Sequence, residues 1–471
     1  MLEKEPVVYP YIPNSVPRIK AEMLNEVNAQ SEMDLFDVIP DELIFKGRLE
    51  IPEPLLDEYS IKRHTTEILD KNANASTHLC FLGSGCAYHF IPAMCDEVIN
   101  RGELLTSYAG SGTMDVAKGQ LVFEYCSMMA ELVDMDCLSV AQVCGTDSSA
   151  HAMRMASRLT DRKRILLPET VGRDFMLHVK NYCGGIEATG GALDLVQIQC
   201  DPKTGMLDMV DLESKLDDSV AAVYVQNPTY LGTIEFQVRE IGELAKKAGA
   251  EYIVYVDPIS LGVMEAPGSY GATIVVGNLQ SLGIHMAAGS GVAGFIAVKD
   301  DERYFNSFKD MMFGYTPTSV EGEFSVSYYT AWDRTMYGRR EQGMEFTGTN
   351  AALWAICAGV YLASMGPQGM EEVGTTIMQR SQYAQKKLAG IEGVKLQFSA
   401  PSFKEFVVNF DDTGKTVADI NRELLGRKIF GGKDLSQEFP QFGQCAQYCV
   451  TEAHTQADID TLFSALSAIV G

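Results

Sequence analysis

Two polar residues end apolar runs immediately before proline, Asn227 in VQNPT and Asp257 in YVDPIS. In open α/β sheets, ligands gather at the carboxyl ends of strands. An aspartate there can pair with the protonated nitrogen of a pyridine ring and make the ring a better electron sink. The same two residues can instead cap the turns that proline initiates, and the local pattern fits both readings. Shortly after Asp257 comes VVGNLQSLGIHMAAGSGVAG, residues 275–294, which has the character of a cofactor loop. It holds no lysine, and none occurs between Lys247 and Lys299. A cofactor held as a Schiff base needs a lysine amine, so the loop lacks the residue its position calls for.

Other glycine-rich stretches are less specific. Residues 289–294 (GSGVAG) match GxGxxG, but they precede an apolar run, whereas the dinucleotide motif follows a strand and opens a helix. These glycines are expected to permit a tight turn or a close approach. Residues 81–85 (FLGSG) read as a tight turn that could face a phosphate. Residues 108–112 (YAGSG) precede a helical pattern and could cradle an anion at its N-terminus, or form an ordinary loop. His151 and His285 read as packing or surface histidines.

The elements that must position these residues alternate. Residues 164–167, 221–225, 252–256, 271–276 and 294–298 are short apolar runs, and residues 118–135 and 239–250 have apolar positions at helical spacing. Strands alternating with helices imply a mostly parallel sheet covered on both faces. Beyond Asn350, residues 351–364 and 371–391 read as long helices, 394–398 and 405–410 as strands, and 456–470 as a closing amphipathic helix. Before the first strand the chain is rich in proline and acids, with short helical pieces at 17–27 and 41–45. The expected organisation is an arm over 1–65 draped over something else, a large α/β domain over 66–345, and a connector helix with a smaller α+β domain over 346–471.

Composition narrows the function. The chain has 471 residues, 46% hydrophobic and 21% charged, enough for a large core and two domains. Its formal net charge of -25 repels phosphate backbones and argues against nucleic-acid binding. No run is apolar enough to span a bilayer, and the acidic, proline-bearing start does not make a signal peptide, so a cytoplasmic protein is expected. The eleven cysteines form no CxxC and the seven histidines no HxxxH, so reduced thiols and no metal site are expected.

Taken together, the motifs resemble the N-terminal half of the glycine decarboxylase P-protein, which is subunit 1 where that enzyme is split. The similar blocks run over nearly the whole chain: YIPN at 11–14, DLFDVIPDEL at 34–43, FLGSGCAYHFIPA at 81–93, VQNPTYLGTIE at 225–235, VDPISLGVMEAPG at 256–268, QSLGI at 280–284, TNAAL at 349–353 and CVTEAHTQADID at 449–460. The resemblance implies a type I PLP-dependent (pyridoxal phosphate) aminotransferase-like fold. It also implies that the Schiff-base lysine belongs to subunit 2, with Gln280 at the corresponding place here. A glutamine amide is not nucleophilic and cannot take that role.

The implied function is therefore a lysine-lacking subunit of a heteromeric glycine decarboxylase, the aminomethyl-transferring glycine dehydrogenase. PLP would be held by the lysine-bearing subunit 2, with glycine as substrate and the lipoyl H-protein as acceptor. The resemblance places Thr106, Ser107 and Tyr108 near the partner's substrate, Tyr108 foremost. It leaves Asp257, Asn227 and Gln280 as a degenerate cofactor site. The chain departs from the family's pattern after Tyr108, at residues 143–156 and after Glu341, so another amino acid as substrate stays open. Two further readings remain: a non-catalytic homodimer of this fold, and an autonomous PLP enzyme using a distant lysine such as Lys118.

Overall fold

The structure is a computed structural model and describes residues 8–45, 47, 49–104, 116–185, 191–287, 293–305, 307–308, 312–329 and 351–471. The chain divides into two compact units, Met1–Asn72 and Ala73–Gly471.

The first unit is built from short pieces. Pro17 starts helix α1 (Pro17–Glu26), where its fixed φ and missing N–H suit the first turn. Helix α2 (Glu58–Leu69) is capped by Asp57, whose carboxylate accepts from the Ser60 amide at 2.7 Å. None of the described residues in this unit is buried, and Tyr11, Val38 and Leu56 are 96%, 85% and 90% exposed. A segment that buries nothing has no core of its own to offset its ordering entropy.

The second unit is organised by a seven-stranded sheet. Its strands are β2 (Cys137–Leu138), β3 (Arg164–Pro168), β4 (Asp194–Ile198), β5 (Val220–Gln226), β6 (Glu251–Val256), β7 (Ile274–Asn278) and β8 (Gly294–Val298). They lie in the order β2-β8-β7-β6-β5-β3-β4. The five strands from β3 to β7 run parallel, while β8 and β2 each pair antiparallel with their neighbour. The sheet is thus mixed at one edge, which the alternating pattern did not indicate. Successive side chains feed opposite faces: Val223 and Val225 join one core and Ala222 and Tyr224 the other. Burial on both faces explains the uninterrupted apolar runs.

Helices α4 (Val116–Val133) and α8 (Val238–Ala248) cover one face. Helices α5 (Gly145–Thr160) and α6 (Arg173–Cys183) cover the other. The first turn of α5 lies close to the sheet, and a Cβ at Gly145 would come within 3.0 Å of the Asn278 amide nitrogen.

The C-terminal part has its own four-stranded antiparallel sheet. Its strands are β11 (Lys395–Leu396), β12 (Glu405–Asn409), β14 (Lys433–Asp434) and β15 (Cys445–Cys449). Helices over Val417–Gly426 and Gln456–Val470 pack on it in a third core. A long helical segment, Ala352–Leu388, joins the two layers and breaks direction at Gly366, where φ is 61° ahead of Pro367. Strand β1 (Leu79–Cys80) pairs with β13 (Ile429–Phe430).

Candidate active-site pocket

A cleft opens at the carboxyl ends of β5, β6 and β7, lined by Ser84, Thr146, Tyr230, Asp257, Gln280 and Lys404 among others. Its position follows from the sheet: parallel strands direct their following loops to one edge. Asp257 leaves β6 there, as its sequence position before Pro258 predicts.

Asp257 is engaged from inside the protein. Lys404, just before β12 of the smaller sheet, places its ammonium 2.6 Å from Asp257 Oδ2. Ser281 donates to Asp257 Oδ1 at 2.7 Å. The two charged side chains are only 12% and 18% exposed. Burial opposes ionisation of Asp257, but the Lys404 ammonium outweighs it, with help from the hydrogen bonds of Lys404 and Ser281, and the carboxyl is held below its ordinary value of 3.8. Burial likewise opposes the charge on Lys404, and Asp257, with smaller contributions from Cys449 and Glu405, holds its pKa well above the ordinary lysine value. Lys404 is therefore a permanent cation.

The network continues inward. Lys404 Nζ lies 3.2 Å from His89 Nε2, and His89 Nδ1 lies 2.9 Å from Glu452 Oε2. An ammonium can only donate, so Nε2 accepts and His89 carries its proton on Nδ1, directed at Glu452. The Phe90 amide donates to the other Glu452 oxygen at 2.8 Å. Burial opposes ionisation of Glu452, and His89 and the Phe90 amide keep its pKa below the ordinary 4.5.

Both depressed carboxyls ionise more readily in the folded state. Their stabilisation is complete above 4.5 and is lost as pH falls through their folded values. Urea midpoints recorded from pH 6 to pH 3 should therefore decline below about 4.5, the upper of the two ordinary values. A flat profile over that range would contradict the assignment.

Gln280 is buried, and its amide is wholly committed to the backbone. Its oxygen accepts from the Ala87 amide at 3.2 Å, and its nitrogen donates to the carbonyls of Ala87 and Ile284 at 3.1 Å each. It clamps the turn after β7 to the segment after β1. Gln280→Ala should cost about 2–4 kcal/mol in urea unfolding, because three buried backbone groups lose their partner. A change under about 0.5 kcal/mol, the scale of an ordinary surface substitution, would show that the clamp carries no weight.

Asn227 also serves structure. Its side-chain oxygen accepts from the Glu235 amide at 3.0 Å, so it ties the two ends of the loop after β5 together. His151 is fully buried in α5 and His285 pairs with Asp96 at 2.6 Å on the surface. Thr106, Ser107 and Tyr108 lie outside the described residues, as do 109–115, 288–292 and 339–341. Gly294, the last glycine of the GxGxxG match, permits close approach: a Cβ there would overlap the Cys144 carbonyl. Lys404 gave no signal in the sequence, since its partners come from distant segments.

These residues do not fit PLP in the usual way. The aspartate that would face the ring nitrogen already carries an ammonium, and Gln280 has no free group to offer. Among the described residues no three or more His, Cys, Asp or Glu are grouped to hold a metal ion, and no two cysteines are joined in a disulfide. No described helix is long and apolar enough to cross a membrane.

The family profile described as "Glycine cleavage system P-protein" matches residues 10–466. The chain belongs to this family. A protein named probable glycine dehydrogenase (decarboxylating) subunit 1 from Pyrococcus horikoshii is 34% identical over 464 residues, covering 98% of this chain and 99% of that protein. One with the same name from Brevibacillus brevis is 33% identical over 463 residues, covering 98% and 99%. Among solved structures, the glycine decarboxylase (P-protein) of the glycine cleavage system, in inhibitor-bound form, superposes with a TM-score of 0.84 at 29% identity, over 98% of this chain and 100% of that one. A Burkholderia pseudomallei sphingosine-1-phosphate lyase superposes with a TM-score of 0.64 at 16% identity, over 90% and 93% of the two chains, and shares the fold alone. The chain has the type I PLP-dependent aminotransferase-like fold that the resemblance implies.

Proposed function

We propose that this chain is the lysine-lacking subunit of a PLP-dependent glycine decarboxylase and acts as a heteromer with a lysine-bearing partner. The observation that carries the reading is Gln280. At the place the family resemblance gives to the Schiff-base lysine, an amide is buried and bonded at both ends to backbone. The names of the relatives, each a subunit 1, support a partner. So does the first unit, whose apolar residues find no core of their own.

In this reading the partner's lysine would hold PLP, which would supply the electron sink that glycine decarboxylation needs. This chain contributes Thr106, Ser107 and Tyr108 to that pocket, with the Tyr108 hydroxyl positioning the amino acid. The aminomethyl group passes to the lipoyl H-protein. The protein works in the cytoplasm.

The test is reconstitution. This chain and the lysine-bearing partner, each inactive alone, should exchange CO₂ with glycine when combined with lipoyl H-protein. In that heteromer Tyr108→Phe should lower kcat/KM for glycine by about 10- to 100-fold, the rate equivalent of one hydrogen bond to a charged group. A stable heteromer inert to glycine and active on another amino acid would move the substrate. Activity of this chain alone would overturn the reading.

A further inference from the structure

Two adjacent residues of the chain itself, Lys404 and Glu405, reach into the pocket from the start of β12 and line it. Lys404 delivers its ammonium to Asp257. Glu405 delivers its carboxyl group to the turn at residues 83–85, where Oε1 accepts from the Ser84 amide at 2.5 Å. That turn was the stretch whose sequence suggested a phosphate. Its backbone donor is instead used by a resident carboxyl group, whose pKa burial raises above the ordinary 4.5.

The surrounding backbone is shaped to this dipeptide. Ser84 and Gly85 have φ of 66° and 96°, which turns the Ser84 amide toward the carboxyl group. A Cβ on Gly83 would overlap Glu405 Oε1, and a Cβ on Gly232 would overlap the Glu405 carbonyl. Gly232 also has φ of 92°. Two glycines from separate loops thus leave room for residue 405 and for nothing larger beside it. The Val450 amide donates to the Lys404 carbonyl at 2.9 Å, and His89 receives the Lys404 ammonium from behind. The dipeptide is fixed in backbone and in both side chains.

We propose that Lys404 and Glu405 are a built-in polar plug that closes this chain's own pocket to PLP. The ammonium of Lys404 takes Oδ2 of the charge partner that the protonated ring nitrogen requires, and Ser281 takes Oδ1, so both oxygens of Asp257 are already engaged. Lys404 is not a substitute Schiff-base lysine. It is held protonated, and so not nucleophilic. It also lies against the carboxylate that faces the ring nitrogen, whereas the aldehyde carbon is at the opposite end of the ring. The plug deepens the proposed function and rests on its reading of Asp257 as a former pyridine partner. It assigns the chain one closed pocket, leaving one PLP per heteromer.

Pyridoxine 5′-phosphate is the suitable probe, because it carries the ring and phosphate of PLP but no aldehyde and needs no lysine. Titrated into the full-length chain and followed by its fluorescence, it should show no saturable binding to the wild type. Lys404→Met, which removes the ammonium and leaves Asp257, should bind at least tenfold more tightly, and adding Asp257→Asn should abolish the gain. One-to-one binding to the wild type would overturn the proposal. So would a folded Lys404→Met variant that binds no better. Should that variant not fold, PLP stoichiometry of the wild-type heteromer decides: one per heteromer supports the plug and two overturns it. The outcomes separate from the proposed function. Two PLP in a glycine-active heteromer would refute the plug alone, and one PLP in a heteromer inert to glycine would refute the substrate alone.

Discussion

Lys404→Met should destabilise the protein by about 2–4 kcal/mol, because it leaves the Asp257 carboxylate largely buried without its cation. Asp257 and Lys404 come from different sheets, so the loss falls on the junction between them. Replacing both partners, Lys404→Met with Asp257→Leu, should recover most of that loss, since a neutral pair has no charge to desolvate. The double-mutant cycle separates an ion pair from two independent contacts.

The pH profile gives a second signature of the same pair. In the wild type Asp257 loses its contribution as pH falls below its ordinary 3.8. In Lys404→Met burial is no longer outweighed, and the Asp257 carboxyl should be raised above its unfolded value. Its contribution is then present below the unfolded value and lost as pH rises through the folded one. The slope assigned to Asp257 should therefore change sign between the two proteins. Equal slopes would mean that Lys404 does not govern this carboxylate.

Removing residues 1–72 should weaken association with the lysine-bearing partner by at least 100-fold while leaving the rest folded. The second unit holds the three large cores, and no buried residue among those described belongs to the first. Unit 1 exposes Tyr11, Val38, Leu43, Leu56 and Tyr59, a density of apolar side chains that marks an interaction segment. Burying even half of them at an interface would supply several kcal/mol at about 25 cal/mol per Å² of apolar area, and every 1.4 kcal/mol is tenfold in affinity. Sedimentation of the truncated chain with its partner gives the result directly. Unchanged affinity would place the interface elsewhere.

What the sequence revealed follows from where the determinants lie. Strands β5, β6 and β8 were legible because each is a short run of β-branched and apolar residues, and proline stops the first two at their pocket ends. The closing helix at Gln456–Val470 was legible from its apolar stripe. Helix α5 was not, because eleven of its sixteen residues are buried and polar ones such as Asp147, Ser148 and Ser149 are among them, so burial does not follow residue polarity. Its first residues, Gly-Thr-Asp-Ser-Ser, have weak helix propensity, and packing between the sheet and α6 overrides it. Helix α6 buries Phe175, Val179 and Cys183 at spacings of four, a stripe present in the sequence and not singled out.

The site divides the same way. Asp257 could be picked out because strand, aspartate and proline are contiguous. Gln280 gained meaning only through the family resemblance, since an isolated glutamine in a loop has no signature. Lys404 and Glu405 could not be found at all: their partners are Asp257, His89 and Ser84, and no local spacing records a contact between two sheets.

The most direct test of the central claim is to trap the cofactor in the active heteromer with borohydride and locate the pyridoxyl group by mass spectrometry. The account predicts that label is recovered only on a lysine of the partner, and that every lysine of this chain, Lys118 and Lys404 included, stays unmodified. A stoichiometric pyridoxyl adduct on either of those lysines would contradict it.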